Sequence, residues 1–112
     1  MNVKIALIAV VGAFSSFVCA AQSAGNPENG KALFIRNGCA RCHGTQGQGG
    51  AGARLAPNPL PAAALIKYVR KPSGTMPPYT NQVTDAELSD IRAYLATVPA
   101  PPPLKDIPLL NN

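Results

Sequence analysis

The sequence predicts an all-α fold of three or four short helices. Three observations carry that expectation. No segment alternates apolar and polar residues as a half-buried strand does, two stretches place apolar residues three and four apart, and each candidate helix is bracketed by residues that start or stop helices.

The first helix opens at Asn26, whose side chain can accept from the orphan N–H groups, with Pro27 at the first helical position and Gly38 near the end. Gly30 and Phe34 lie four apart within it and so share a face. Gly44 to Pro61 holds five glycines and three prolines and reads as an irregular loop. Ala62, Leu65, Ile66 and Val69 then fall at i, i+3, i+4 and i+7, a buried stripe on a short helix that must stop before Pro72. The last helix opens with the capping-box spacing Thr84-Asp85-Ala86-Glu87, carries Leu88, Ile91, Leu95 and Val98, and is ended by Pro99.

Length and composition narrow the class further. The 112 residues suit about one domain. With 12 Pro, 10 Gly, no Trp and 13% charged residues, the chain is neither a coiled coil, nor a multi-span membrane protein, nor a large enzyme, nor a charge-rich disordered segment. Residues 1–21 read as a cleaved secretory signal: Lys4 gives a positive start, Ile5 to Phe14 is apolar, and the segment ends in small residues. The cut is placed after Ala21, with a cut after Ala20 as the alternative. An uncleaved anchor is the competing reading, because Ile5 to Ala21 is only slightly shorter than the roughly 20 apolar residues that span a bilayer. Residues 22–98 form the domain, and residues 99–112 form a proline-rich tail. With no second apolar stretch, no stable membrane insertion is expected after cleavage.

Removing the signal exposes a shortage. About 90 residues must fold around four aromatics, Phe34, Tyr68, Tyr79 and Tyr94. Domains this small often need a disulfide, a metal or a cofactor. Cys39-Ala40-Arg41-Cys42-His43 has the C-x-x-C-H spacing for covalent haem: two thiols one helical turn apart, Cys39 and Cys42, can add to the porphyrin's vinyl groups, and the adjacent His43 reaches the iron. Other readings of the motif fare worse. A thioredoxin-like dithiol wants a preceding strand, a zinc site wants a fourth ligand, and a disulfide closing so short a loop constrains little chain entropy.

The second axial ligand follows by elimination. Apart from the initiator, Met76 is the sole methionine, and His43 is the sole histidine. Met76 sits in Ser73-Gly74-Thr75-Met76-Pro77-Pro78-Tyr79, where Gly74 permits a sharp turn and Pro77 disfavours helix. A stiff loop of that kind holds a weak thioether against iron at little ordering cost.

At this point the chain resembles the small monohaem class I c-type cytochromes of bacteria. The likeness rests on Gly30-Lys31-Ala32-Leu33-Phe34, on Cys39 to Gly44, on Thr75-Met76-Pro77-Pro78-Tyr79 and on Ile91-Arg92-Ala93-Tyr94-Leu95, in that order and at matching spacing. It implies the cytochrome c fold around one covalently attached haem c, with the outer helices crossing near Gly30 so that Phe34 and Tyr94 meet. Core packing is the expected role of Phe34, Tyr68 and Tyr94, while Tyr79 either fills space or bonds a haem propionate. Two features depart from the common pattern. Gly52-Ala53-Arg54-Leu55 lacks the proline whose carbonyl usually orients the haem histidine, which leaves Ala53, Pro57 or another residue to do so. The proline-heavy tail is also unusual; it either docks on another subunit or folds back through Ile107, Leu109 and Leu110.

Charge points to the partner. With Lys4 gone, nine Lys/Arg face five Asp/Glu, and the stretch from Lys31 to Lys71 holds seven basic residues and no acid. Such a face would steer an acidic redox partner. Export and the lack of an aromatic-interleaved basic stripe argue against nucleic acid. The expected function is one-electron transfer in the periplasm, either as a soluble shuttle or as the dedicated acceptor of a periplasmic dehydrogenase that hands electrons to an oxidase or another cytochrome. The chain would be a carrier rather than an enzyme. The alternative is a haem enzyme or gas sensor with an opened distal site.

Overall fold

The computed structural model describes residues 24–110, so the expected signal lies outside the described residues. Asn26 Oδ1 accepts from the N–H groups of Glu28 and Asn29, and α1 (Pro27–Arg36) starts there with Pro27 at its first position. Gly38, at φ +79°, ends the entry to a separate five-residue helix, α2 (Cys39–His43). A positive φ is cheap for glycine alone, so the chain turns sharply at Gly38 and begins winding again at Cys39. Periodicity cannot reveal so short a helix. The long loop leads to α3 (Ala62–Arg70), and the capping box expected at Thr84 and Glu87 is formed at the start of α4 (Asp85–Thr97). Among the described residues there is no strand.

The outer helices α1 and α4 make the main packing contact of the fold. A Cβ on Gly30 would lie 1.9 Å from the Asp90 carbonyl oxygen, so the crossing requires glycine. Phe34 and Tyr94 meet there with ring centroids 5.9 Å apart at 54°, a tilted pair of the favourable kind. Asp90 also ties the start of α1 to α4, accepting from Asn26 N and Asn29 Nδ2, each at 2.7 Å. Leu33, Phe34 and Leu95 are fully buried, and Leu65, Val69, Leu88 and Ile91 complete the apolar interior.

Two expectations need correction. Tyr68 is not a core residue: it is 41% exposed, and its hydroxyl lies 3.1 Å from Ser73 Oγ. Leu65 and Val69 occupy the inner face of α3, which turns the neighbouring phenol outward to a polar partner. The tail does not fold back through its leucines. Beyond Pro103 it forms two short 3₁₀ turns, Leu104–Asp106 and Pro108–Leu110, which pack on each other and on none of the four helices. Leu104, Leu109 and Leu110 are 73%, 85% and 62% exposed, whereas Ile107 is half-buried. Among the described residues no helix is long and apolar enough to cross a membrane.

Candidate functional site: an apolar cleft with sulfur and imidazole on its walls

Between α2, α3, α4 and the two long loops lies a cleft of about 650 Å³, within the usual range for ligand and cofactor sites. Its walls are mainly apolar, with Phe34, Leu65, Val69, Leu88, Ile91 and Leu95 among them. Cys39, Cys42, His43 and Met76 all line it, so the four residues expected to act together share one cavity.

Cys39 and Cys42 are free thiols one turn apart on α2, the first half-buried and the second exposed. Burial pushes the Cys39 thiol above its ordinary pKa, although its own backbone N–H pulls the other way. A redox-active dithiol depends on a depressed pKa. A raised value lends no support to a thioredoxin-like site, and Cys39 lines the apolar cleft. Nor is any group of three or more His, Cys, Asp or Glu among the described residues placed to hold a metal ion, which leaves the zinc reading without support.

His43 closes α2. Its Nδ1 lies 2.7 Å from the Ala53 carbonyl oxygen, and because a carbonyl only accepts, Nδ1 carries a proton and Nε2 is the nitrogen left available to a metal. Of the acceptors left open by the sequence, Ala53 is the one used. The loop is built to deliver that carbonyl. Gly52 N donates to Cys42 O and Gly49 N to His43 O, each at 2.8 Å, while Gly47 O accepts from Leu55 and Ala56. A Cβ on Gly52 would stand 2.9 Å from His43 Cε1, so the backbone approaches the ring as closely as glycine permits. Sequence reasoning could not choose Ala53, because a backbone acceptor leaves no mark on side-chain identity.

Met76 is half-buried and packs against the core from the loop between α3 and α4. Tyr79, three residues on, donates its hydroxyl proton to the Asn37 carbonyl at 3.0 Å. That bond ties the loop to the end of α1, and the side chain packs against the core. Burial is the main cause holding the Tyr79 phenol above its ordinary pKa; thiolate charge at Cys39 and Cys42 acts in the same direction and Arg41 against it. Tyr94, raised by burial, donates to the Thr45 carbonyl at 2.8 Å and so binds α4 to the loop after His43. Arg70, counted from the sequence only among the basic residues that would steer a partner, is instead engaged internally: its Nη1 donates to the Tyr79 carbonyl at 2.7 Å, and its Nη2 pairs with Asp85.

The donor set fits an iron porphyrin. An apolar cavity suits the macrocycle, two thiols one turn apart suit its vinyl groups, and a neutral imidazole and a thioether suit the metal. A strand-free shell of four helices around such a cleft, with C-x-x-C-H on its wall, is that of a small c-type cytochrome. Residues 25–95 match the family model described as cytochrome c oxidase, cbb3-type, subunit III, and the chain belongs to that family. Its general activity is accordingly haem-based electron transfer. No curated protein and no solved structure matches the chain closely enough to count as a relative.

Proposed function

We propose that the protein is a one-electron carrier of the periplasm, with a single haem c held by Cys39 and Cys42 and its iron ligated axially by His43 and Met76. The observation that carries this reading is the meeting, on one apolar cleft, of both thiols, the sole histidine and the sole methionine beyond the initiator. When bound, haem c supplies a reversible one-electron couple, and His/Met ligation sets that couple at a positive potential. The chain's own residues do the rest. The Ala53 carbonyl holds the Nδ1 proton and with it the orientation of the His43 ring, and a hydrogen bond to the far nitrogen of a ligating imidazole commonly tunes a metal centre. The aliphatic walls exclude water. A loop held from both ends presents the Met76 sulfur.

The partner we infer presents an acidic surface. Two of the acids are taken up internally, Asp85 by Arg70 and Glu87 by Arg36, while among the described residues no ion pair involves Lys31, Arg41, Arg54, Lys67 or Lys71. Arg54 lines the cleft itself. Such a face raises the encounter rate without tight binding, as small electron-transfer interfaces require. The family's description names an oxidase subunit, which supports action beside a fixed partner rather than free diffusion alone.

Replacing Met76 tests the reading. Exported Met76→Ala should keep covalent haem, bind added imidazole, and show a lower potential, by part of the roughly 0.8 V range that axial ligands span. An unchanged potential would remove Met76 from the iron.

A further inference from the structure

We propose that Arg70 is a positioning residue for the sulfur-bearing loop, holding Met76 in ligating position from behind; the proposal rests on the assignment of Met76 as an iron ligand. Between Lys71 and Thr84 the chain has no regular structure, and Pro72, Pro77 and Pro78 lack N–H groups with which to anchor it. A single backbone hydrogen bond ties this stretch to a helix, Tyr79 N to Val69 O at 3.0 Å. The remaining tethers are side chains. At the front, the Tyr68 hydroxyl engages Ser73; behind Met76, Val83 packs in the core and the hydrogen-bonded tethers converge on Tyr79.

Arg70 does what no other residue of that group does. Its Nη1 holds the Tyr79 carbonyl at 2.7 Å while its Nη2 pairs with Asp85, the first residue of α4. One guanidinium therefore joins α3, the loop and α4. Its side chain is 26% exposed and its bond to the Tyr79 carbonyl is part-buried, so water competes weakly there, whereas the Asp85 end of the pair lies at the surface. The planar fork of arginine serves two acceptors in different directions; lysine, a single point of charge, serves one of them well. Tyr79 completes the anchor by reaching Asn37 next to the motif helix. The loop's far end is thus tied to the residue that caps α1, two positions before Cys39.

The test reads how often the sulfur leaves the iron, by timing capture of added imidazole by the oxidised, fully matured holoprotein. Arg70→Gln should capture imidazole about tenfold faster or more, the loss expected for a charge-assisted hydrogen bond. Arg70→Lys should fall between it and wild type. Asp90→Asn loosens the start of α1, away from the loop, and should lower the melting temperature without hastening capture. Met76→Ala sets the fast limit. The proposal is overturned if Arg70→Gln captures at the wild-type rate, or if Asp90→Asn speeds capture as much at an equal loss of melting temperature. Should Arg70→Gln fail to accumulate, Arg70→Lys carries the comparison, and a wild-type rate there overturns the proposal equally. Wild type as fast as Met76→Ala would instead defeat the ligand assignment, and the proposal with it.

Discussion

At the scale of single residues, contacts to backbone set the chemistry. Gly52→Ala would drive a methyl to within 2.9 Å of His43 Cε1, and because the neighbouring atoms are a ring already bonded to Ala53, relief must come from turning that ring. We expect covalent haem to form, the holoprotein to lose about 1–3 kcal/mol of stability as overpacked sites do, and the potential to move. Chemical denaturation with potentiometry checks this, and an unchanged potential would show that the ring does not turn. Tyr79 and Tyr94 give a pH dependence. Both phenols are held above their ordinary value, chiefly by burial, and both spend their proton on a carbonyl. Their contribution is complete below the unfolded phenol value of about 10 and is lost as pH rises through the higher folded values. Once the cysteine sulfurs are thioethers, thiolate charge no longer acts on Tyr79 and burial remains. Denaturant midpoints should therefore fall with rising alkalinity, and less steeply in Tyr79→Phe.

At the scale of elements, what could be read from the sequence divides by mechanism. Asn26, Pro27 and the Thr84–Glu87 box mark helix starts because capping depends on local side chains, and α1 and α4 begin where those residues stand. The stripe Leu65 and Val69 marks the inner face of α3 for the same reason, since burial enforces its period. Three things were not legible. The break at Gly38 that makes α2 a separate helix is a backbone angle; Ala53 acts through its carbonyl; and Arg70 acts on residues nine and fifteen positions away. Each depends on the folded path rather than on a neighbour in sequence. The caps also lend themselves to measurement: Thr84→Ala should cost about 1 kcal/mol, the usual price of a lost N-cap, seen as a lower melting temperature with an unaltered haem spectrum. Gly30→Ala should cost far more, because the obstructing atom is the Asp90 carbonyl and neither helix can yield without parting Phe34 from Tyr94.

At the scale of the whole molecule, a small apolar interior surrounds a large cleft, and exposed apolar residues gather on the two 3₁₀ turns of the tail, which pack on none of the four helices. Removing residues 99–112 should leave the melting temperature unchanged and slow electron exchange with a purified physiological partner. Full exchange rates in the truncated protein would deny the tail a docking role. The cleft bears on folding itself. Among the described residues only ten form the buried apolar core, few for a domain of this length, so the porphyrin should serve as interior as well as redox centre. The most direct measurement is pyridine haemochrome spectroscopy on protein matured in an exporting host, alongside the Cys39→Ala, Cys42→Ala double variant. One covalently bound haem c per wild-type chain, and no stable folded product from the double variant, is the predicted result. A colourless wild-type protein that is nevertheless compact and cooperatively folded would contradict it.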